Sequence, residues 1–337
     1  MATLRRPKAP TALPMLDVYL PMMRTAAVLA AAQLGVFAAL QRGAKTPGQL
    51  AKVLRADERG LLRLCDQLVT AGYLVRRGSR IANSAPTQRW FTPAGEVDYT
   101  PGLHWTRDAW RLVEDLGPSV RTGGPRTPLW ERMRRQSGLG DRFAAYMHAF
   151  AEHSSPQIAR CVRMPQNARR LLDVGGSHGL HAIAACRAHP NLTAVVFDHA
   201  VSLRQTKQHV RAARLQQRIT TQAGDCVADD LGRDFDVVYY FSVAPNQTSA
   251  HNARVLRKCA RALRPGGVLV IQDYVRGVVP EPYGSAFDLT LLLEVGTGTH
   301  DLAAFRAWVA AAGLTGFRHR QLPEPTMGSV ITARKPR

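Results

Sequence analysis

The sequence is poor in cysteine, and its cysteines are not arranged for disulfides or for metal. It has five, spread along the chain with no CxxC pair: Cys65, Cys161, Cys186, Cys226 and Cys259. An odd, scattered set argues against a disulfide framework and against a zinc knuckle. We therefore expect a protein without a bound metal in a reducing compartment, the cytoplasm.

The sequence also lacks a long uninterrupted apolar run. A membrane-spanning helix needs about 20 consecutive, predominantly apolar residues. Residues 13–40 are mostly apolar but are interrupted at Asp17, Pro21, Arg24 and Gln33. Residues 1–14 are basic and proline-rich, and no compact apolar core of an export signal follows them. The sequence predicts a soluble protein with no membrane partner.

Acidic residues are scarce relative to basic ones. The 337 residues include 45 lysines and arginines but 25 aspartates and glutamates, a formal net charge of +20. One helical pattern carries basic residues at steps of three and four, on one face: Arg204, Lys207, Arg211, Arg214 and Arg218. We interpret this stripe as a solvated outer helix. Contact with nucleic acid stays an alternative, as does an anionic substrate or acyl-carrier partner attracted by the stripe or by residues 121–135.

The second half of the chain alternates short apolar runs with helical patterns. Hydrophobic residues make up 45% and charged residues 21% of a chain long enough for two globular domains. After a first strand at residue 171, strands are predicted at residues 192–198, 219–225, 235–241 and 268–273. Residues 264–267 (RPGG) are predicted as a turn whose glycines take positive φ. This alternation implies a parallel sheet with ligands at the carboxyl ends of its strands.

A glycine-rich loop joins the first of these strands to a helix. Residues 171–180 read LLDVGGSHGL, and such glycines let a backbone approach a ligand beside the free N–H groups of a helix. Later strand ends carry Asp198, Asp225 and Asp273. Asp198 lies where a carboxylate accepts hydrogen bonds from both ribose hydroxyls. A dinucleotide site is disfavoured, because the loop spacing is not GxGxxG.

The motifs DVGG, FD, GD, DVV and LRPGG follow one another in an order that resembles S-adenosylmethionine-dependent methyltransferases. The resemblance is to the caffeate/acetylserotonin-type small-molecule O-methyltransferase family and covers nearly the whole chain. It implies an α/β fold, with a Rossmann-like class I methyltransferase domain and an N-terminal all-α winged-helix dimerisation domain. The implied domains are a dimerisation domain at residues 1–100, a helical connector at 101–165 that contributes to the substrate pocket, and a cofactor-binding domain at 166–337.

The resemblance also implies a set of cofactor residues. In that family the loop holds the methionine part of the cofactor, the acid after strand two holds the ribose, and the acid after strand three reads the adenine. Carried over, the residues for S-adenosyl-L-methionine are Asp173, Gly175, Gly176, Ser177, Asp198, Asp225, Cys226, Phe241 and Ser242. On the connector, Met147 and Phe150 share a helical face from which the family lines its substrate pocket.

The first hundred residues predict three helices and a hairpin. A helical pattern covers residues 26–40, Thr46 and Asp57 are N-caps of the next two helices, and strands at 73–75 and 80–82 flank a turn. A basic winged helix is a plausible DNA reader. The third helix, however, carries three acids against two bases, with an apolar stripe of Leu61, Leu64, Cys65 and Leu68. We therefore expect a homodimer, as the resemblance implies, whose apolar helices interlock with those of a second subunit.

The general base of that family is missing from this chain. In the family a histidine after strand four removes the proton of the substrate hydroxyl, and a glutamate orients that histidine. A gapless alignment through residues 255–258 places Pro245 at the histidine, and the segment at 296–300 that corresponds to the glutamate's offers Thr299. His300 is the candidate replacement base, and Asn246 is a candidate to orient a substrate oxygen or to cap the next helix.

Two functions are consistent with these features. One is a small-molecule methyltransferase of secondary metabolism, acting on an oxygen, nitrogen, sulfur or carbon that is already deprotonated or acidic. The other is a family member that binds S-adenosylmethionine but uses its sulfonium as a fixed positive charge in another reaction. A third possible function is that of a winged-helix regulator that senses the cofactor.

Overall fold

The computed structural model describes residues 13–93, 95, 98–323 and 326–337. They form two compact units. The sheet unit comprises Asp115–Arg132 and Ala151–Arg337, and the helical unit comprises Met133–Phe150 and the described part of Pro7–Glu114. The predicted α/β fold class is confirmed, while the domain boundaries at residues 100 and 165 stay predictions.

The helical unit contains short helices and one two-stranded hairpin. Its elements are α1 (Pro14–Leu34), α2 (Val36–Leu40), α3 (Pro47–Leu54), α4 (Glu58–Thr70), β1 (Leu74–Arg77), β2 (Arg80–Asn83), α5 (Ala85–Trp90) and α6 (Thr100–Val113). The predicted N-caps are confirmed, because Thr46 forms a capping box and Asp57 accepts a hydrogen bond from the third residue of its helix. The predicted helix at 26–40 has the wrong bounds: α1 begins at Pro14, and Gly35, with φ of 76°, separates it from α2.

The apolar stripe of α4 faces the interior of its own unit. Leu61, Cys65 and Leu68 are at most 3% exposed and pack with residues of α1, α2 and α3. The chain itself therefore covers this stripe, and the homodimer stays a prediction. Most of the exposed large apolar side chains of this unit lie on the first half of α1, where Met15 is 76% and Val18 is 72% exposed.

The sheet unit is built around one large mixed sheet. Its strands are β3 (Arg170–Val174), β4 (Thr193–Asp198), β5 (Ile219–Ala223), β6 (Phe235–Phe241), β7 (Leu263–Asp273), β10 (Thr315–Gln321) and β11 (Ser329–Arg334). They pair in the order β10-β11-β7-β6-β3-β4-β5. The five strands from β3 to β7 are parallel, as predicted, and β10 and β11 add an antiparallel pair that the sequence analysis missed.

The RPGG segment lies inside β7, so its prediction as a turn before the strand is wrong. The C-terminal segment pairs along it: Gly266 donates to the Lys335 carbonyl at 3.0 Å, and the Lys335 N–H donates to the Gly267 carbonyl at 2.9 Å. The predicted positive φ holds for Gly266, at 77°. A register shift against β6 absorbs the extra residues of this bulged strand start.

Helices cover both faces of the sheet. The sheet unit contains α7 (Leu116–Thr122), α10 (Leu180–Ala188), α11 (Leu203–Ala212), α12 (Ser249–Ala262), α13 (Tyr283–Val295), α14 (Leu302–Ala311), a 3₁₀ turn (Ala244–Asn246) and the strand pair β8 (Val275–Arg276) with β9 (His300–Asp301). Helices α8 (Leu129–Arg135) and α9 (Leu139–Cys161) contribute residues to both units. Strand β6 is buried along its whole length, since its alternate side chains enter the cores on opposite faces of the sheet.

The predicted basic stripe is shorter than expected. Arg204, Lys207 and Arg211 are exposed on α11, which supports a solvated helix face. Helix α11 ends at Ala212, so the helical spacing does not extend to Arg214 or Arg218. The Arg218 guanidinium is instead half-buried and donates to the carbonyls that follow α10, including that of Leu192 at 2.7 Å.

Candidate cofactor and acceptor site

The glycine loop follows β3 and is packed too tightly for side chains. Gly175 and Gly179 adopt the left-handed conformation, with φ of 71° and 73°. A Cβ on Gly176 would lie 2.7 Å from the Asp173 carboxylate, and one on Gly179 would lie 2.7 Å from Thr206. These glycines are therefore required by the protein's own packing as well as by any ligand that the backbone approaches.

Asp173 is a buried acid without a hydrogen-bond partner. Its side chain is 0% exposed, and neither carboxylate oxygen accepts a hydrogen bond. Burial, reinforced by the charge of Asp198, raises the pKa of this carboxyl to about 7. An orphaned carboxylate beneath the loop fits a ligand that brings a positive charge, as the amino group or sulfonium of S-adenosylmethionine would.

Asp198, at the end of β4, connects that strand to the loop. Its Oδ2 accepts the Ser177 N–H at 2.9 Å, and its Oδ1 accepts the His199 N–H at 2.6 Å. An ionised carboxylate offers about four acceptor positions. Asp198 therefore keeps acceptor capacity beyond its backbone bonds, and its assignment to the ribose hydroxyls stays a prediction.

The end of β5 lies beside Asp198 and carries the candidate adenine site. Gly224 donates to the Asp198 carbonyl at 3.0 Å, and a Cβ on Gly224 would collide with the Phe197 ring. Asp225 Oδ1 accepts the Val227 N–H at 2.7 Å, which fixes the turn that follows the strand. Burial raises the pKa of the Cys226 thiol to about 11, so the thiol is neutral at physiological pH and offers an apolar surface.

Phe241 and Ser242, at the end of β6, are both engaged in packing. The Phe241 ring is buried, stacks on Tyr239 at 4.3 Å and meets the edge of His181 at 5.0 Å. Ser242 Oγ donates to Gln272 Oε1 at 3.1 Å. Their assignment to the cofactor stays a prediction.

Pro245 lies in the 3₁₀ turn directly after this strand and offers no titratable atom. Its side chain is buried, and its carbonyl accepts a hydrogen bond from Thr297 Oγ1. Thr299, the residue aligned with the family's glutamate, is 4% exposed and donates from Oγ1 to Asp288 at 2.7 Å. Neither residue is able to accept a proton from a substrate.

His300 packs against the segment that contains the 3₁₀ turn. Its Nε2 lies 3.2 Å from the Ala244 carbonyl and 3.3 Å from the Gln247 carbonyl. A ring nitrogen between two carbonyl oxygens carries its hydrogen and donates it. The ring also packs edge-on against Trp308 at 4.8 Å, and burial lowers its pKa. The role of His300 as the replacement base stays a prediction.

Asn246 does not cap the next helix, contrary to one of its two predicted roles. Thr248 is the N-cap of α12 and accepts the His251 N–H at 3.2 Å. Asn246 Nδ2 donates to the Ser242 carbonyl at 3.2 Å, and the side chain is half-buried. Its role in orienting a substrate oxygen stays a prediction.

Two polar features near these elements escaped the sequence analysis. His181, in the first turn of α10, lies with Nδ1 3.0 Å from Ser155 Oγ, and burial lowers its pKa to about 4. Its position three residues after His178 in the loop was the available signal. Glu294, in the last turn of α13, has a pKa raised to about 7 by burial, and no local pattern marks it.

The predicted substrate-pocket residues lie on α9. Met147 and Phe150 are both half-buried and belong to the part of that helix in the helical unit. Their role in a substrate pocket stays a prediction.

The mixed sheet, the glycine loop and the acids at the strand ends define a class I methyltransferase that depends on S-adenosylmethionine. A sequence-family model described as the O-methyltransferase domain matches residues 121–315 of this chain. This match spans more than half of the chain, so the chain belongs to the O-methyltransferase family. The predicted family, enzyme class and cofactor are thereby confirmed.

Relatives and solved structures agree with this assignment. The chain is 27% identical over 334 residues to the 3-hydroxy-5-methyl-1-naphthoate 3-O-methyltransferase of Streptomyces sahachiroi, covering 95% of this chain and 94% of that protein. It is 28% identical over 267 residues to the aclacinomycin 10-hydroxylase RdmB of Streptomyces purpurascens, covering 73% and 68%. The crystal structure of human N-acetylserotonin methyltransferase with its cofactor superposes with a TM-score of 0.85 at 20% identity, over 99% of this chain and 100% of that chain.

Proposed function

We propose that this protein methylates a small aromatic acceptor in secondary metabolism and does so without the histidine base of its family. One observation carries the proposal: the acids of the cofactor site are in place, whereas the residue aligned with the base is Pro245. Intact Asp173, Asp198 and Asp225 support cofactor binding, since each stands at or beside the end of a parallel strand. The Streptomyces relative named for a hydroxynaphthoate supports an aromatic acceptor.

Loss of the family base leaves most of the catalytic effect intact. General-base catalysis contributes about 10²–10⁴ in rate, whereas correct placement of two reactants is worth roughly 7–11 kcal/mol. When bound, S-adenosylmethionine supplies an electrophilic methyl group on a sulfonium. The protein's part is to orient the acceptor in line with that methyl and to exclude water. An acidic phenol, an amine, a thiolate or an activated carbon is a suitable acceptor.

A second candidate function is a reaction that uses the bound cofactor without transferring its methyl group. The relative named aclacinomycin 10-hydroxylase belongs to the same set of similar proteins and favours this possibility. The two functions differ in their products, because only methyl transfer releases S-adenosylhomocysteine in proportion to product.

We further propose that the protein is a cytoplasmic homodimer whose subunits meet through the helical unit. An exposed apolar face on α1 and a cavity of about 660 Å³ support this; the cavity is lined by Val28, Tyr73 and Trp90 among others. A projecting apolar face and an apolar recess on the same unit suit a two-fold interface, where each copy offers both. Of the described helices, α1 is also long and apolar enough to cross a membrane, and a membrane is therefore the competing partner.

Calorimetric titration with S-adenosylmethionine and S-adenosylhomocysteine tests the cofactor site. We expect micromolar binding by the wild type and its loss in Asp198→Ala, because the variant lacks the carboxylate assigned to the ribose. Incubation with hydroxynaphthoate, amine and thiol acceptors then separates the two functions by S-adenosylhomocysteine release. Absence of binding to either ligand would refute the methyltransferase proposal.

Light scattering after size-exclusion chromatography tests the dimer. Met15→Glu with Val18→Glu is expected to give monomers, because two charges would be buried in the interface. Val53→Glu is the matched control, since Val53 is 57% exposed on α3 and away from that face. A monomeric wild type that floats with phosphatidylcholine–phosphatidylglycerol vesicles would instead identify α1 as a membrane-binding helix.

A further inference from the structure

His181 lies in the first turn of α10, directly after the glycine loop, and is not among the residues that the sequence analysis assigns to the cofactor. Its ring is half-buried. Nδ1 lies 3.0 Å from Ser155 Oγ on α9, whereas no described residue forms a hydrogen bond with Nε2. The chain thus leaves one of the two ring nitrogens for a partner that it does not itself supply.

The contact with Ser155 determines which ring nitrogen carries the hydrogen. Burial lowers the pKa of His181 to about 4, so the ring is neutral at physiological pH and carries one hydrogen. Ser155 is 3% exposed. If Nδ1 donated to Ser155, the buried hydroxyl hydrogen would have no acceptor among the described residues. The hydroxyl therefore donates to Nδ1, and Nε2 carries the hydrogen and is a donor.

The His181 ring contacts both elements that carry the predicted methionine end of the cofactor site. It meets the Phe241 ring edge-on, with 5.0 Å between the ring centroids. The His178 ring, within the glycine loop, lies 5.3 Å from it. The ring is therefore held between the glycine loop and the end of β6.

An unpaired acid lies on the same face of the sheet. Asp173 is the register partner of Tyr239 on the parallel strand β6, and Tyr239 stacks on Phe241 at 4.3 Å. Register partners, and residues two apart in a strand, project from one face. A Cβ on Gly176 would lie 2.7 Å from the Asp173 carboxylate, so this acid lies directly beneath the loop. An unpaired carboxylate and an unpaired N–H donor thus share one loop and one face.

These two groups are complementary to an amino acid. The methionine part of S-adenosylmethionine carries an ammonium group and a carboxylate on the same carbon. An ammonium group compensates a buried carboxylate, and a carboxylate accepts a strong hydrogen bond from a ring N–H. Asp173 and His181 have no such partners in the described chain, and a ligand of this kind supplies both at once.

We propose that His181 Nε2–H binds the carboxylate of the cofactor's methionine part, while Asp173 binds the ammonium group on the same carbon. Ser155 is a positioning residue, because its hydroxyl fixes the ring and the tautomer. The inference rests on the cofactor binding that the proposed methyl transfer requires. His181 is then a determinant of ligand specificity, since a ligand without the carboxylate leaves the Nε2 hydrogen without an acceptor.

The test compares three ligands by calorimetry on the full chain: S-adenosylhomocysteine, its decarboxylated analogue, and methylthioadenosine, which lacks the whole amino-acid part. The wild type should bind S-adenosylhomocysteine about 10–100-fold more tightly than the decarboxylated analogue. His181→Phe keeps a ring beside Phe241 but has no donor. It should lose this preference by binding S-adenosylhomocysteine more weakly, with unchanged affinity for the other two ligands.

Three further variants sharpen the comparison. His181→Gln should keep part of the preference, because its amide N–H also donates. Ser155→Ala should lower the preference by less than His181→Phe does, since it frees the ring without removing the donor. His251→Gln is the matched control, because His251 is an exposed histidine in the first turn of α12, whose core contacts are on the opposite face of the sheet.

The ligand series separates recognition of the carboxylate from a purely structural role of His181. Equal losses of affinity for S-adenosylhomocysteine and its decarboxylated analogue in His181→Phe would overturn the inference. So would a wild type that binds these two ligands equally well, while the proposed methyl transfer would stand. A wild type that binds none of the three ligands would overturn the proposed function as well. Where His181→Phe does not fold, the same comparison on His181→Leu decides.

Discussion

Neutralising Glu294 is expected to stabilise the protein, by an amount that grows with pH. The folded chain holds the proton of this carboxyl up to a pKa of about 7, against an ordinary value of 4.5. A raised carboxyl pKa means that the folded state binds more protons than the unfolded state between these values. Stability is therefore fully present below pH 4.5 and is lost as the pH rises through about 7.

The size of the effect follows from the two pKa values. Each pH unit between them is worth about 1.4 kcal/mol. The interval from 4.5 to about 7 therefore corresponds to roughly 3 kcal/mol in the free energy of unfolding. Solvent screens the exposed part of this side chain, which leaves ~1–3 kcal/mol. For a unit of this size, each kcal/mol changes Tm by about 2–4 °C.

Scanning calorimetry from acidic to mildly alkaline pH measures this effect. Glu294→Gln and the wild type should unfold at similar temperatures near pH 4.5, diverge as the pH rises to about 7 and keep a constant difference above it, with the variant more stable. Asp173 also has a raised pKa, but it is present in both proteins and cancels in the difference. Glu114→Gln, at an exposed carboxylate of the helical unit, should follow the wild type throughout. A Glu294→Gln curve parallel to the wild type, or a less stable variant at alkaline pH, would refute the reasoning that burial leaves this carboxylate uncompensated.

Four further perturbations test the site and its supports. Gly224→Ala should weaken the binding of S-adenosylmethionine and of S-adenosylhomocysteine in calorimetry, because the added Cβ would collide with the Phe197 ring. Unchanged affinity would show that the Phe197 ring moves aside. His300→Gln should lower the free energy of unfolding by ~1–3 kcal/mol, through loss of the contacts with the Ala244 and Gln247 carbonyls, and should leave the shape of the pH–rate profile intact; loss of the pH dependence would identify His300 as the base. Arg218→Met should destabilise the fold in denaturant titration, since its guanidinium donates to carbonyls in the last turn of α10 and after it, whereas a neutral effect would mean that water replaces it. Cofactor binding should release protons below about pH 7, because a cationic ligand lowers the raised pKa of Asp173; enthalpies that do not vary with the buffer's ionisation heat would contradict this.

Local patterns in the sequence predicted much of the fold. Thr46 and Asp57 cap their helices as expected, because a cap depends on residues within one turn. The five parallel strands appear with their acids at the carboxyl ends, since the alternation of apolar runs and helices encodes that topology. The glycine loop and Asp198 could be assigned for the same reason.

Other features depend on contacts between distant segments. The apolar stripe of α4 is covered by α1, α2 and α3 of the same unit. The RPGG segment has the sequence of a turn, but its hydrogen bonds with Lys335 make it part of a strand. The carbonyls of Ala244 and Gln247 lie beside His300 Nε2 only because the fold brings these segments together.

The order and identity of residues thus determine the family, the cofactor and the loss of the histidine base. They do so because motifs, caps and periodicity depend on residues only a few positions apart. The state of Glu294 is not determined in this way, because a carboxyl's pKa depends on how much water and which charges surround it. Burial in the folded chain removes that water from Glu294 and raises its pKa to about 7. Only the tertiary structure decides the charge state of this glutamate in an apolar helix.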